Sequence, residues 1–181
     1  MIHPQHWSLS SIWKYLHNRD PSALSKDDIA AYSLLPVRGK VVLDIGAYDG
    51  DTAELFLRLG AKRVICIEPN FNRYMKIVRN LCYRGKPVIA DDKQFDETDL
   101  KDYNWDCMKM DCEGYEALLY ERGWHKYIQD RPVVLEAHNW HVKEELEKIG
   151  FTTIKTLDPM LGLSLMANFS VPVAERGRYE P

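Results

Sequence analysis

Apolar residues along this chain alternate between two rhythms, short continuous runs that suit strands and i, i+3, i+4 stripes that suit helices. Leu9, Ile12, Trp13 and Leu16 recur at helical spacing and predict a helix over 8–17, ended by Asn18 to Pro21. Ser25 with Asp28 three residues later signals a capped second helix, 26–35, that stops before Pro36. Strands and helices then alternate. Strand 41–45 leads to helix 50–59, and strand 63–67 to a helix with the stripe Phe71, Tyr74, Met75, Val78, Leu81 and Cys82. Strand 87–90 is followed by a polar stretch, 91–104, with room for one or two helical turns. Strand 105–110 leads to helix 114–124, with Tyr115, Leu118 and Leu119 inward. Strand 132–137 leads to helix 141–149, with Val142, Leu146 and Ile149 inward, and runs at 151–156 and 163–169 close the sheet. Such alternation predicts an α/β fold with a parallel sheet and helices on both faces. Only Leu157 to Gly162 joins the last two runs, too short for a helical crossover, so they pair as an antiparallel edge hairpin.

The expected architecture is Rossmann-like: seven strands, mostly parallel, with the antiparallel hairpin at the C-terminal edge. Residues 39–171 form the sheet domain, 1–38 a helical extension and 172–181 a tail. At 181 residues and 45% hydrophobic, the chain has material for one such domain and not for two. There is no run of eighteen apolar residues and no basic-then-apolar leader, which points to an unprocessed cytoplasmic protein without a membrane span. Cys66, Cys82, Cys107 and Cys112 lie in or beside buried elements and form no Cys-x-x-Cys pair, so they read as reduced core thiols. With 24 basic and 27 acidic residues the net charge is −3, and no basic cluster follows one face. That disfavours extended nucleic-acid binding and leaves a small RNA partner open.

Residues 41–50, Val-Val-Leu-Asp-Ile-Gly-Ala-Tyr-Asp-Gly, carry the first chemical signal. A strand-type run ends in Asp44, a glycine turn opens a helix, and a second strand closes on Glu68. This is a nucleoside-binding βαβ unit, whose strand-end carboxylate accepts both ribose hydroxyls. A dinucleotide fingerprint has Gly-x-Gly-x-x-Gly to admit a pyrophosphate. Here the spacing is Gly46-x-x-x-Gly50, with Asp44, Asp49 and Asp51 around the turn. Carboxylates at that place repel a pyrophosphate and tolerate a sulfonium cation and an α-amino group.

The pattern Asp44-x-Gly46-x-x-x-Gly50-x-Thr52 resembles motif I of the class I S-adenosylmethionine-dependent methyltransferases. A second stretch, Lys109-Met110-Asp111-Cys112-Glu113-Gly114-Tyr115-Glu116, resembles the Lys-x-Asp-x-Glu-Gly-x-Glu signature of the FkbM-type enzymes, and the likeness spans about residues 40 to 170. Motif I is shared widely, whereas the second run is the sharper of the two. The resemblance implies S-adenosyl-L-methionine as cofactor. It further implies O-methylation of a hydroxyl on a sugar, lipid-linked or small-metabolite acceptor. Its cofactor site takes in Asp44, Gly46, Ala47, Tyr48, Gly50, Thr52, Glu68 and Pro69. Asp91 stands where such enzymes hold the adenine amino group, and Asp111 where the methyl group lies. For Asp91 the plainer reading is a cap on the following turn.

Ligands of open α/β sheets sit beyond the C-terminal strand ends, and Asp44, Glu68, Asp91, Asp111 and Glu136 all fall there. Methyl transfer to oxygen needs the nucleophile aligned and its proton removed. Asp111, Glu113, Glu136 and His138 are the candidate catalytic groups. Glu136-Ala137-His138 places two of them on one face of a strand end. With Asp111 this pair also has the donor chemistry of a divalent-cation site, for which the sequence offers no independent support. Glu113 and Glu116 read equally well as acidic residues favouring a helix N-terminus, His138 as a structural histidine and His141 as a surface one.

Position 111–114 lacks the Asn/Asp-Pro-Pro-aromatic run of base amino-methylating enzymes, and no cysteine follows a proline as cytosine-C5 chemistry requires. Oxygen is left as the favoured acceptor atom. The polar stretch 91–104 is short, and no insertion builds a substrate lid. Helices 8–17 and 26–35 are the only spare parts; some of their aromatics, Trp7, Trp13, Tyr15 and Tyr32, could line an acceptor groove, though aromatics at helical spacing are more often core. An acceptor bound at the surface, a site completed by a second subunit, and a cofactor-binding domain without turnover are the readings a small pocket leaves. An RNA methyltransferase is the alternative from the nucleic-acid class, and a nicotinamide dehydrogenase the poorest fit.

Overall fold

The capping signal at Ser25 is realised as a reciprocal pair. In a computed structural model that describes residues 24–169, the Ser25 side chain accepts from Asp28 N, and Asp28 Oδ2 accepts from Ser25 N at 2.8 Å. Helix α1, Lys26–Tyr32, then ends at Ser33, three residues short of the expected boundary. The sequence-predicted helix 8–17, with Trp7, Trp13 and Tyr15, lies outside the described residues.

β1 (Val41–Ile45), α2 (Asp51–Arg58), β2 (Arg63–Ile67) and α3 (Phe71–Asn80) follow as the periodicities require. β3 (Val88–Asp91), α4 (Glu97–Asp102), β4 (Cys107–Met110), α5 (Leu118–Glu121), β5 (Val133–Ala137), α6 (Trp140–Lys148), β6 (Thr152–Asp158) and β7 (Leu163–Ala167) complete the fold. The sheet has seven strands in the order β3-β2-β1-β4-β5-β7-β6. β7 lies antiparallel between β5 and β6, and the other neighbouring pairs are parallel. The antiparallel C-terminal hairpin is therefore present, as its short connection demanded. Strand alternation separates two apolar layers. Val42, Val64, Cys66, Cys107 and Val134 pack with Ile29, Tyr32 and Phe56 on one face, while Leu43, Ile45, Ile67, Met108 and Leu135 pack with Leu119 and Leu146 on the other. No helix among the described residues is long and apolar enough to cross a membrane.

Two helices depart from expectation. The span 114–124 is not one helix: a 3-10 turn, Tyr115–Ala117, precedes the four-residue α5, and a second 3-10 turn spans Trp124–Tyr127. Glu113 and Gly114 both have positive φ (56° and 105°), which bars a helical start. Tyr115, expected inward, is exposed, whereas Glu116 is fully buried. In α3 the expected stripe is also partly displaced. Leu81 is buried and Tyr74, Met75, Val78 and Cys82 half-buried as expected, but Phe71 is exposed and Ile77, outside the stripe, is fully buried, because α3 lies over edge strand β3 and has no sheet to cover on its outer side.

Candidate functional site

The parallel strands β1, β2, β4 and β5 all point their C-terminal ends at one cavity of about 740 Å³. Of the sequence-predicted site residues, Gly46, Ala47, Tyr48, Thr52, Glu68, Pro69, Asp111, Glu113, Glu136 and His138 line it. Asp44, Gly50 and Asp91 do not.

The glycine turn after β1 is pressed against the end of β4. Gly46 has φ +71°, and a Cβ there would stand 1.8 Å from the Asp111 carbonyl oxygen, so only glycine lets the two strand ends meet. Asp111 N donates to Ile45 O at 3.1 Å, which ties the same two ends together. Gly50, at φ +92°, forms the N-cap of α2. Asp44 is buried beneath the turn. It accepts from Thr52 Oγ1 at 2.5 Å and stands 3.4 Å from Lys109 Nζ. Burial pushes the Asp44 carboxyl up, and Lys109 and Thr52 oppose that shift.

Glu68, 4% exposed, closes β2. Its Oε2 accepts from Tyr48 N and its Oε1 from Asn70 N, both at 2.9 Å, so its orientation is fixed while each oxygen retains acceptor capacity toward the cavity. Tyr48 has φ +50°, a conformation that costs a non-glycine residue roughly 1–3 kcal/mol. Its ring carries the Arg73 guanidinium 3.8 Å above its centroid, and both residues line the cavity. Asp91 sits elsewhere. Its carboxylate accepts from Tyr103 Oη at 2.7 Å, and Gln94 and Phe95 line the cavity in its stead.

At the other end, alternation places Lys109 of β4 with Asp111 just beyond it, and Glu136 of β5 with His138 just beyond it, on the face covered by α1. Tyr32 of α1, fully buried, donates its hydroxyl to Asp111 Oδ2 at 3.3 Å. Burial and the nearby Asp111, Asp28, Glu136 and Asp44 carboxylates hold that phenol well above its ordinary range. Lys109, 1% exposed, donates to Gly46 O at 2.7 Å and Ile45 O at 3.3 Å. Burial opposes its charge, and the carboxylates of Asp44 and Asp111 outweigh that opposition and keep it protonated.

Glu116 supports this end from below. Its two oxygens accept from Cys112 N at 2.7 Å and Gly114 N at 2.8 Å, and one stands 3.4 Å from His138 Nδ1. His138 Nε2 faces Asp111 at 3.5 Å and Glu113 at 3.7 Å. Burial disfavours the imidazolium, but Glu116, Asp111 and Glu136 together raise His138 to about 9. Glu136 has no hydrogen bond or ion pair among the described residues; burial, with Asp111 second, raises it to about 7. Asp111, Glu116 and His138 each offer one ligand atom within 4.8 Å of the others. Because Glu116 already serves two backbone N–H groups and an imidazolium, an ion-pair network accounts for the cluster.

Sequence offers Tyr32 only as one of several aromatics for an acceptor groove, and gives Lys109 and Glu116 no role in the site. The signal for Lys109 was present: a lysine two positions before Asp111 in a strand must share its face.

No protein-family model matches the chain, and no curated protein matches it in sequence. Solved structures do match in fold. A ribosomal protein L11 methylase from Lactobacillus delbrueckii subsp. bulgaricus aligns with TM-score 0.58 and 15% identity over 78% of this chain and 76% of that one. The C-terminal domain of precorrin-6Y C5,15-methyltransferase from Rhodobacter capsulatus aligns with TM-score 0.59 and 21% identity over 82% and 90%. The m1A22 tRNA methyltransferase of B. subtilis aligns with TM-score 0.57 and 18% identity over 80% and 65%. Their names span protein, precorrin and RNA, so what this chain shares with them is the seven-stranded Rossmann-like methyltransferase fold.

Proposed function

We propose that this chain is an S-adenosylmethionine-dependent methyltransferase acting on a hydroxyl of a sugar, lipid-linked or small-metabolite acceptor. The observation that carries the reading is one cavity with two chemically distinct ends. A fixed carboxylate, Glu68, stands beside the glycine turn at one end, and Asp111, Glu136 and His138 converge at the other. The residues present suit the cofactor. Glu68 retains lone pairs for ribose hydroxyls, the Gly46 turn admits close backbone approach, and no phosphate-binding glycine triplet exists. Bound there, S-adenosylmethionine supplies a methyl group on a sulfonium.

The chain's own part is alignment and proton removal. Glu136, which has no hydrogen-bond or ion-pair partner among the described residues and lines the cavity, would take the acceptor hydroxyl's proton. His138 stands 3.4 Å from Glu116 and 3.5 Å from Asp111, carboxylates that favour its imidazolium form, so it would orient and balance charge in place of acting as base. Asp111, held by Tyr32 and near Lys109, lines the meeting point of the two ends.

Calorimetry with S-adenosylhomocysteine tests the foundation. Wild type should bind and Glu68→Ala should bind more weakly; absence of binding to both would end the proposal. Asp111→Ala should keep cofactor affinity and lose transfer, which separates an enzyme from a cofactor-binding domain without turnover. Labelled methyl should not enter bulk RNA.

A further inference from the structure

Among the described residues, each cation near the acceptor end of the cavity already faces a buried carboxylate. Lys109 sits against Asp44 and two carbonyl oxygens, and His138 against Glu116. Asp27, also on the lining, is paired with Lys155 at 2.6 Å. Among the described residues, Asp28, Asp111, Glu113 and Glu136 then surround one opening in which these two cations are shared, His138 3.5 Å from Asp111 and 3.7 Å from Glu113 and Lys109 3.9 Å from Asp111, so negative charge is in excess. Tyr32's hydroxyl stands within the influence of three of these carboxylates, so their fields converge. Arg73, the remaining cation on the lining, stacks on Tyr48 at the cofactor end. Glu136 is half-buried with no partner among the described residues, an arrangement that favours a cationic ligand beside it.

We infer that the acceptor is an amine-bearing polyol whose ammonium group docks between Asp28 and Asp111, presenting a neighbouring hydroxyl to Glu136. This rests on the methyltransferase reading of the same cavity. Ammonium hydrogen bonds to carboxylates are charge-assisted, and phosphorylated acceptors are repelled by the same groups. A nucleic-acid strand, with a charge on every phosphate, is disfavoured on that ground.

The test titrates S-adenosylhomocysteine-saturated protein, by calorimetry, with D-glucosamine, kanamycin, N-acetyl-D-glucosamine and D-glucose 6-phosphate. The amines should bind at least about tenfold tighter than the acetylated and phosphorylated sugars, and more weakly as salt is raised. Asp28→Asn, whose amide oxygen can still accept from Ser25 N, and Asp111→Asn should each weaken the amines by about tenfold while the neutral sugar is unaffected. Saturation with S-adenosylhomocysteine followed by equal binding of neutral and cationic sugars, tighter binding of the phosphate, or no binding of any amine, overturns the inference and leaves the cofactor reading standing. Failure to bind S-adenosylhomocysteine at all overturns the cofactor reading itself. An N-methylated product would sustain the cationic acceptor and overturn the oxygen assignment.

Discussion

Glu68 does two jobs with one carboxylate: it pins the backbone at Tyr48 and Asn70, and it presents its remaining lone pairs to the cavity. Glu68→Ala should therefore cost S-adenosylhomocysteine affinity by roughly tenfold to a hundredfold, as lost hydrogen bonds to a charged group do. Calorimetry reads this, and the same variant should unfold at a lower temperature because two N–H groups lose their acceptor. In the proposed reaction Glu136 would set the pH dependence of transfer. Facing Asp111, Asp28, His138 and Lys109, it titrates at about 7, so turnover should rise as pH passes through that value and the base becomes available. Glu136→Gln should lower turnover by roughly 10²–10⁴-fold and remove that limb of the profile. A flat wild-type profile between about pH 6 and pH 8 would assign proton removal to another group.

The loop between β4 and α5 shows why an element can carry more than its length suggests. Glu113 and Gly114, both left-handed, turn the chain so that Glu116 reaches back under Cys112 and Gly114 and supports His138. Glu116→Ala strands two N–H groups and removes the counter-charge of a largely buried imidazolium. It should destabilise the fold by about 3–5 kcal/mol in urea denaturation, as breaking one side of a buried pair does. In sequence Glu116 looked like an ordinary acidic residue of a first helical turn, because helical periodicity carries no information about two consecutive positive φ angles. By contrast β1, α2 and β2 were legible almost to the residue, since a strand-type run, a glycine turn and an amphipathic stripe follow one another without competition. The C-terminal hairpin was legible for a topological reason, a connection too short to cross over. The displaced stripe of α3 was not, because which side of a helix is covered depends on how many strands lie beneath it.

Across the whole molecule, titration of the site is coupled to stability. Glu136 has its folded-state value raised from 4.5 to about 7, so the folded protein binds this proton more tightly and loses stability as pH rises across that interval. His138, raised from 6.5 to about 9, contributes stability that is complete below its unfolded value and is lost as pH rises through about 9. Glu116, lowered despite its burial because His138 and backbone N–H groups favour its charge, works the other way at the acid end, where its contribution disappears as pH falls. The melting temperature should thus peak in weakly acidic buffer and decline toward about pH 9, and His138→Gln should flatten the alkaline side. A wild-type melting temperature that climbs from about pH 5 to about pH 9 would contradict this charge arrangement. None of that balance could be read from a net charge of −3, because it depends on which carboxylates the fold buries side by side. The seam where Gly46 touches the Asp111 carbonyl joins the two halves of the cavity through one pair of strand ends. If a ligand in one half displaces that seam, occupancy of either half should alter affinity in the other by one and the same factor.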